Sequence, residues 1–218
     1  MFSETPVKVP ADKVLTVLSD LDSLFRSMGY DFLFYPIGST ANPKDESKDV
    51  DVMVDAAEFL VSTGCSSVGS AKDCFTMHLA TGVQARQKGV SVHLLIPVDG
   101  VGNVQVDIML AYPADAIVFY HVHGIPTGSP YKGKHRHMLM SYLARKKGLL
   151  WSPYRGLYTR KASGKRDQLV SYDPDEVAHL LTGGLRDTIT SADAILRSID
   201  NPDEILKDLV NDRQWNRQ

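Results

Sequence analysis

Two carboxylates one residue apart, Asp49 and Asp51, lie in an apolar run, and their spacing is the first sign of chemistry in the chain. In an extended strand, residues i and i+2 project to the same face. Asp49 and Asp51 are therefore expected side by side. The valines of the same run are expected on the opposite, buried face: Val50, Val52 and Val54. Two like charges this close repel each other, and a hard cation such as Mg²⁺, which prefers oxygen ligands, would relieve the repulsion.

A third carboxylate, Asp107, lies in a run of alternating apolar residues at positions 104–110. This alternation predicts a strand whose apolar face is buried, with Asp107, Gln105 and Met109 on the other face. If this strand pairs with the first, the three carboxylates converge and can bind two Mg²⁺ ions, with Mn²⁺ as an alternative. Two ions ~3.5–4 Å apart favour in-line phosphoryl displacement. We therefore predict catalytic and metal-binding roles for all three.

A Gly-Ser pair precedes the first two carboxylates. Gly38 permits close approach of the backbone to a ligand, and the Ser39 hydroxyl with neighbouring amides can bind a triphosphate. The nearest cations are Lys44 and Lys48, in the polar loop that follows. We predict nucleotide binding by Gly38, Ser39 and Lys48.

The helices and strands expected around these residues indicate an α+β fold, with a mixed sheet and flanking helices. Apolar residues recur at helical spacing in residues 11–28, and residues 56–61 predict a short second helix. Turn residues at 99–103 predict a hairpin between the third and fourth strands. The predicted strands are residues 30–37, 49–54, 90–97 and 104–110.

The character of the sequence changes after residue 111, and we predict two domains, 1–115 and 116–218. The second is expected to be a small basic α/β subdomain that ends in helices. Residues 117–122 fit either a strand or a buried helix. The other predicted elements are a helix at 135–147, strands at 151–160 and 168–172, and helices at 174–181, 191–199 and 202–210.

The net charge of -2 conceals a strong asymmetry. Between Ala116 and Arg166 lie eleven of the 24 Lys and Arg residues and none of the 26 Asp and Glu residues. A cationic segment with interleaved aromatic residues is typical of nucleic-acid binding, since cations neutralise phosphates and aromatic rings stack on bases. The residues predicted to bind nucleic acid are Lys132, Lys134, Arg136, Arg145, Lys146, Lys147, Arg155 and Arg160.

The composition is that of an ordinary folded protein, with 43% apolar and 23% charged residues. Cys65 and Cys74 fit neither a disulfide framework nor a zinc-binding pair. No apolar run reaches the ~20 residues that span a bilayer, and the N-terminus does not show a signal-peptide pattern. We expect a cytoplasmic, or at least intracellular, protein without a membrane partner.

The Gly-Ser pair, the spaced carboxylates and the third carboxylate form one combined pattern. The residues that carry it are Gly38-Ser39, Asp49-Val50-Asp51-Val52 and Val106-Asp107-Ile108. This pattern resembles the nucleotidyltransferase superfamily typified by DNA polymerase beta. The resemblance implies a palm with a two-metal centre.

A second pattern narrows the resemblance to family X DNA polymerases. Thr127-Gly128-Ser129 is followed by a basic segment that ends at Lys146-Lys147-Gly148. In that family, a similar motif precedes a helix that contacts the incoming nucleotide and the template, and a small hairpin follows. The resemblance covers residues 38–172 and implies nucleotide-binding roles for Thr127, Gly128 and Ser129.

The leading interpretation is a minimal family X-like DNA polymerase or nucleotidyltransferase that adds nucleotides from triphosphates to a nucleic-acid 3′ end. Asp107 is expected to help activate the 3′ hydroxyl, while Asp49 and Asp51 bind both ions. DNA is favoured over RNA as the partner, and the small size would suit a virus-encoded protein or a compact repair system.

Two alternatives stay open. One is transfer to RNA or to a protein side chain. The other is a catalytically weak nucleotidyltransferase-like binding or assembly module. Asn42 replaces an arginine and Ile125-Pro126 replaces an aromatic pair that are common in the family, and these departures keep the second alternative open. The three carboxylates favour catalysis.

Overall fold

Mixed α+β architecture is present in both parts of the chain. The computed structural model describes residues 2–43, 45–79 and 82–211. The chain divides into two units, Met1–Val118 and Phe119–Gln218, a boundary close to the division expected after residue 115. Among the described residues, no helix combines the length and apolar character needed to cross a membrane.

The first unit contains a five-stranded mixed sheet in the order β2-β4-β7-β6-β5. Strand β4 is parallel to β7, and the other neighbours are antiparallel. A separate two-stranded ladder joins β1 and β3. The strands are β1 (Val9–Pro10), β2 (Phe34–Pro36), β3 (Glu46–Ser47), β4 (Val50–Asp55), β5 (Gln84–Lys88), β6 (Ser91–Val98) and β7 (Gly102–Ala111).

Among the described residues, the first unit contains five helices, and a 3-10 turn at Ala11–Lys13 leads into the longest of them. They are α1 (Val14–Ser27), α2 (Gly38–Ala41), α3 (Ala56–Thr63), α4 (Val68–Met77) and α5 (Ala114–Ile117). The side chain of Asp55 caps α3 by accepting hydrogen bonds from Ala57 N and Glu58 N. Because β4 ends at this residue, the cap couples the end of the central strand to the helix that follows.

The core of the first unit follows the predicted alternation. The apolar residues on the inner face of β4 and β7 are fully buried: Val50, Val52, Val54, Val104, Val106, Ile108 and Leu110. An aromatic cluster packs against them and includes Phe25 of α1, Phe59 of α3 and Phe75 of α4. Burial of each such side chain stabilises the fold by ~1.5–3 kcal/mol. This packing keeps the two acid-bearing strands in one register.

The second unit, as far as it is described (residues 119–211), combines a three-stranded antiparallel sheet, in the order β10-β9-β8, with five helices. Asp173 caps α8 and Ser191 caps α9, each through its side chain. The elements are α6 (Phe119–Val122), α7 (Gly133–Lys146), β8 (Leu149–Ser152), β9 (Gly156–Arg160), β10 (Arg166–Ser171), α8 (Pro174–Thr182), α9 (Ala192–Ser198) and α10 (Pro202–Val210).

The predicted strand at residues 151–160 is wrong, because a turn divides it into β8 and β9. Ser152 pairs with Gly156 across the turn, and Arg155 N donates to Ser152 O at 3.1 Å. Gly156 has a φ of 90°, and a Cβ atom there would lie 2.6 Å from Ser171 O. The position therefore requires glycine, which also explains why the strand breaks there.

Residues 117–122, which fit either a strand or a buried helix, take the helical alternative: residue 117 ends α5 and residues 119–122 form α6. Two further elements have no clear apolar pattern. The sequence did not predict β5, an edge strand whose residues Ala85 to Lys88 are all exposed, nor α4, which begins in a Ser/Gly-rich segment after the capping residue Ser67.

Candidate metal centre

The register of β4 and β7 brings three carboxylates together. Asp51 lies directly opposite Asp107 in the parallel ladder, and Asp49 immediately precedes β4. One carboxylate oxygen from each of the three lies within 4.8 Å of the others. The side chains occupy the face opposite the buried valines, as the alternation predicts.

Burial and mutual repulsion make Asp49 and Asp51 hard to ionise. Burial, together with the charges of Asp49 and Asp107, raises the pKa of Asp51 to about 7. Burial also raises the pKa of Asp49, and the charge of Asp107 adds to this effect. A divalent cation would reverse the penalty because it favours the ionised form. Three converging oxygen donors, with neither Cys nor His in the set, fit Mg²⁺ or Mn²⁺.

Asp107 is the most buried of the three, at 7% exposure, and two neighbours fix its orientation. Gln105 Nε2 donates a hydrogen bond to Asp107 Oδ1 at 2.9 Å. His93 Nδ1 lies 2.6 Å from the same oxygen, without the geometry of a hydrogen bond. Both contacts are to Oδ1. They limit the rotation of a carboxylate that faces the other two acids.

His93 is a site residue that the sequence interpretation missed. It lies opposite Asp107 in the β6–β7 ladder, and its Nε2 is 2.9 Å from Ser91 Oγ. Since Ser91 Oγ donates to Lys88 O, it accepts from His93 Nε2. The signal was present in the sequence: a hairpin that turns at residues 99–101 pairs position 93 with position 107.

The Gly-Ser segment lies against the second carboxylate. Ile37 N donates to Asp51 O at 3.0 Å, and Asp51 N donates to the buried Thr40 hydroxyl at 2.7 Å. Gly38 has a φ of 58°, and a Cβ atom there would lie 3.4 Å from Asp51 Oδ2. Glycine therefore permits both the turn and the close approach. Thr40, which the sequence interpretation did not select, ties the turn to β4.

Ser39 and Lys48 lie at the exposed side of this turn. The Ser39 hydroxyl is 2.8 Å from the Ser47 hydroxyl, so the loop after α2 returns to the Gly-Ser pair. Lys48 is exposed, and its charge partly offsets the rise in the pKa of Asp49. Lys44 lies outside the described residues.

The Thr-Gly-Ser motif forms a turn in the second unit. Ser129 N donates to Pro126 O at 3.1 Å, and Gly128 has a φ of 79°. The Ser129 hydroxyl donates to Asp193 Oδ2 at 2.7 Å, which anchors the turn to α9. Thr127 and Gly128 are exposed. Ser129 therefore has a structural role in addition to the predicted role in nucleotide binding.

Most of the predicted nucleic-acid-binding residues lie on the surface of the second unit, and one does not. The exposed residues are Lys132, Arg145, Lys146, Lys147 and Arg160, while Lys134 and Arg155 are partly exposed. Arg136 is only 4% exposed, and its Nη1 donates to Thr190 O at 2.9 Å. The prediction of Arg136 as a surface cation is therefore corrected. It lies on the inner face of α7, beside Leu139 and Met140.

A known relative would indicate the roles of the carboxylate centre, the Gly-Ser turn and the basic surface. Comparison with known protein families finds no match, and no curated protein matches the chain significantly. The geometry of the site is therefore the basis for inferring the function.

Proposed function

We propose that this protein is a metal-dependent nucleotidyltransferase that adds nucleotides from nucleoside triphosphates to a nucleic-acid 3′ end. The single observation that carries the proposal is the convergence of Asp49, Asp51 and Asp107 within 4.8 Å on adjacent strands. A sheet whose role is only structural gains nothing from three carboxylates that oppose one another's ionisation.

The proposed fold of the first unit is a nucleotidyltransferase palm of the polymerase beta type. Two features support it besides the carboxylates. The Gly38 turn is hydrogen-bonded to the backbone of Asp51, and the third acid lies on the parallel neighbour of the strand that carries Asp51. The sequence resemblance predicts the same arrangement.

The chain's own residues account for metal and nucleotide binding in this proposal. Asp49 and Asp51 would bind both metal ions, and Asp107, oriented by Gln105 and His93, would bind the catalytic one. Bound Mg²⁺ lowers the pKa of an attacking hydroxyl and offsets negative charge on phosphates. The exposed Gly38-Ser39 turn offers a hydroxyl and backbone amides beside Asp51, where a triphosphate can approach.

A nucleic acid is the proposed acceptor because the second unit is rich in surface cations. Arg145, Lys146 and Lys147 are exposed at the end of α7, and Arg160 is exposed at the end of β9. Such residues neutralise backbone phosphates and do not distinguish one base sequence from another. We propose DNA as the acceptor, with RNA as the alternative.

Assays of nucleotide transfer from labelled triphosphates to a panel of acceptors test this proposal. The panel contains primed and gapped DNA, single-stranded DNA, the matching RNAs and a protein acceptor, each with Mg²⁺ and with Mn²⁺. We expect extension of a DNA 3′ end that chelation of the metal abolishes. Labelling of RNA or protein alone would replace the proposed acceptor. Absence of transfer to every acceptor would contradict the proposed function.

A further inference from the structure

A buried guanidinium in the second unit has more hydrogen-bond donors than partners. Arg136 has five N–H donors, as every arginine does. Its Nη1 donates to Thr190 O at 2.9 Å, whereas its Nε is buried and has no hydrogen-bond partner. A buried donor without a partner costs free energy, because water no longer solvates it.

The charge of Arg136 is also uncompensated. Burial lowers its pKa to about 10, which still leaves the side chain cationic at neutral pH. Throughout residues 2–43, 45–79 and 82–211, no carboxylate forms a salt bridge with it. Buried charges in proteins are usually paired or bind a ligand of opposite charge, since an isolated buried ion is costly. Arg136 therefore lacks an anion.

A cavity adjoins Arg136. Arg136 lines it, together with His123, whose Nε2 is buried and also has no partner. Gly133, the first residue of the 14-residue helix α7, lines it as well. The N-terminal end of a helix favours negative charge, since its first N–H groups point outward. Three features that suit an anion thus converge on one space.

The size and access of the cavity fit a small ligand. The cavity has a volume of about 20 Å³. This exceeds the space of one water and suits a group of a few atoms. Its rim includes the exposed residues Ile125 and Lys132. Asp193 contributes one negative charge to the lining, but its carboxylate accepts a hydrogen bond from Ser129 and does not pair with Arg136.

We propose that this cavity is a binding site for a single phosphate group, held by the guanidinium of Arg136 with the imidazole of His123 beside it. Arginine matches the oxygens of a phosphate with its planar donor set, and Lys132 adds a cation at the entrance. Water alone would satisfy the donors but not the charge. The proposal does not depend on the carboxylate centre of the first unit. The phosphate could be inorganic phosphate or a phosphate monoester.

Calorimetric titration of the full chain tests the site. Inorganic phosphate, a nucleoside 5′-monophosphate and the matching nucleoside are added at constant ionic strength in chloride. We expect binding of at least one phosphate, no binding of the nucleoside, and a loss of ~10-fold or more in affinity in Arg136→Gln. Arg197→Gln removes the same charge from an exposed position on α9 and should bind phosphate like the wild type. Binding of the monophosphate alone would identify an ester as the ligand.

If Arg136→Gln does not fold, a second measurement tests the proposal. In the ¹⁵N-labelled wild type, the Nε–H resonance of Arg136 should shift as phosphate is added, and His123→Ala should weaken the phosphate affinity. Wild-type protein that binds neither phosphate would overturn the proposal. It would also be overturned if phosphate binds without moving the Arg136 resonance.

Discussion

At the scale of single residues, Asp51 connects protonation to metal binding. Its pKa in the folded protein is raised to about 7, mainly by burial, whereas an unfolded aspartate titrates near ~3.9. The folded state therefore binds this proton more tightly than the unfolded state does. The resulting stabilisation is present below the unfolded pKa and is lost as pH rises through about 7.

We predict that the metal-free protein loses stability between about pH 4 and about pH 8, by at most ~1.4 kcal/mol for each pH unit that separates the two pKa values of Asp51. Added Mg²⁺ should restore stability mainly above the folded pKa, because it binds the ionised carboxylates. Thermal melts across this range, with and without Mg²⁺, measure both effects. Asp51→Asn should flatten the metal-free profile, and an unchanged profile in this variant would contradict the assignment.

A second residue-scale prediction concerns His93. Groups that orient a metal ligand typically contribute ~10–100-fold to metal affinity. Since His93 contacts Asp107 Oδ1, His93→Ala should weaken Mn²⁺ binding by about this factor, measured by calorimetry. The control is His78→Ala, which changes an exposed histidine that is distant in sequence from the three acids. Equal affinities in the two variants would remove His93 from the site.

At the scale of elements, the turn before β4 explains why a glycine stands beside a carboxylate. We predict that Gly38→Ala destabilises the fold by about 1–2 kcal/mol, because an L-residue is strained at its left-handed φ. The new Cβ would also lie 3.4 Å from Asp51 Oδ2, so Mn²⁺ affinity should decrease. Gly29→Ala has a similar strain, with a φ of 79°, but no atom within 4 Å of the new Cβ. Calorimetry of both variants separates the two effects, and equal loss of metal affinity would contradict the steric account.

The elements that carry the site were predictable from the sequence because their patterns are strong. Alternating apolar residues predict β4 and β7, and the Asp99–Asn103 turn predicts the β6–β7 hairpin. Strand β5 was not predictable in this way, because four of its five residues are exposed and it has no apolar face. The division between β8 and β9 depends on Gly156, where the φ is positive and a Cβ atom would collide with residues 171 and 172.

The candidate site was only partly predictable for a similar reason. The three carboxylates follow from spacing within strands, but their convergence needs the parallel register of β4 and β7. Arg136 shows the limit more clearly. The charge pattern places it among surface cations, whereas the helical face it shares with Leu139 and Met140 directs it inward. Charge density along a sequence does not specify which cations a helix buries.

At the scale of the whole molecule, positive charge is concentrated in one part of the sequence, although the net charge is -2. We predict that DNA binding weakens steeply with salt, since each neutralised phosphate releases counterions. Lys146→Ala and Lys147→Ala should each reduce the slope of log affinity against log salt by about one. Lys8→Ala, an exposed lysine in the first unit, should leave the slope unchanged. A slope near zero in the wild type would contradict a role for the basic surface.

The most direct test of the proposed function is nucleotide transfer by Asp107→Asn beside the wild type. With Mg²⁺, a labelled triphosphate and the DNA acceptor, the wild type should extend the 3′ end. Asp107→Asn should be inactive while Mg²⁺-nucleotide binding stays measurable, because Asp49 and Asp51 remain. Asp99→Asn, in the exposed hairpin turn, should retain full activity. Full activity in Asp107→Asn would contradict the proposal that the three converging carboxylates catalyse the transfer.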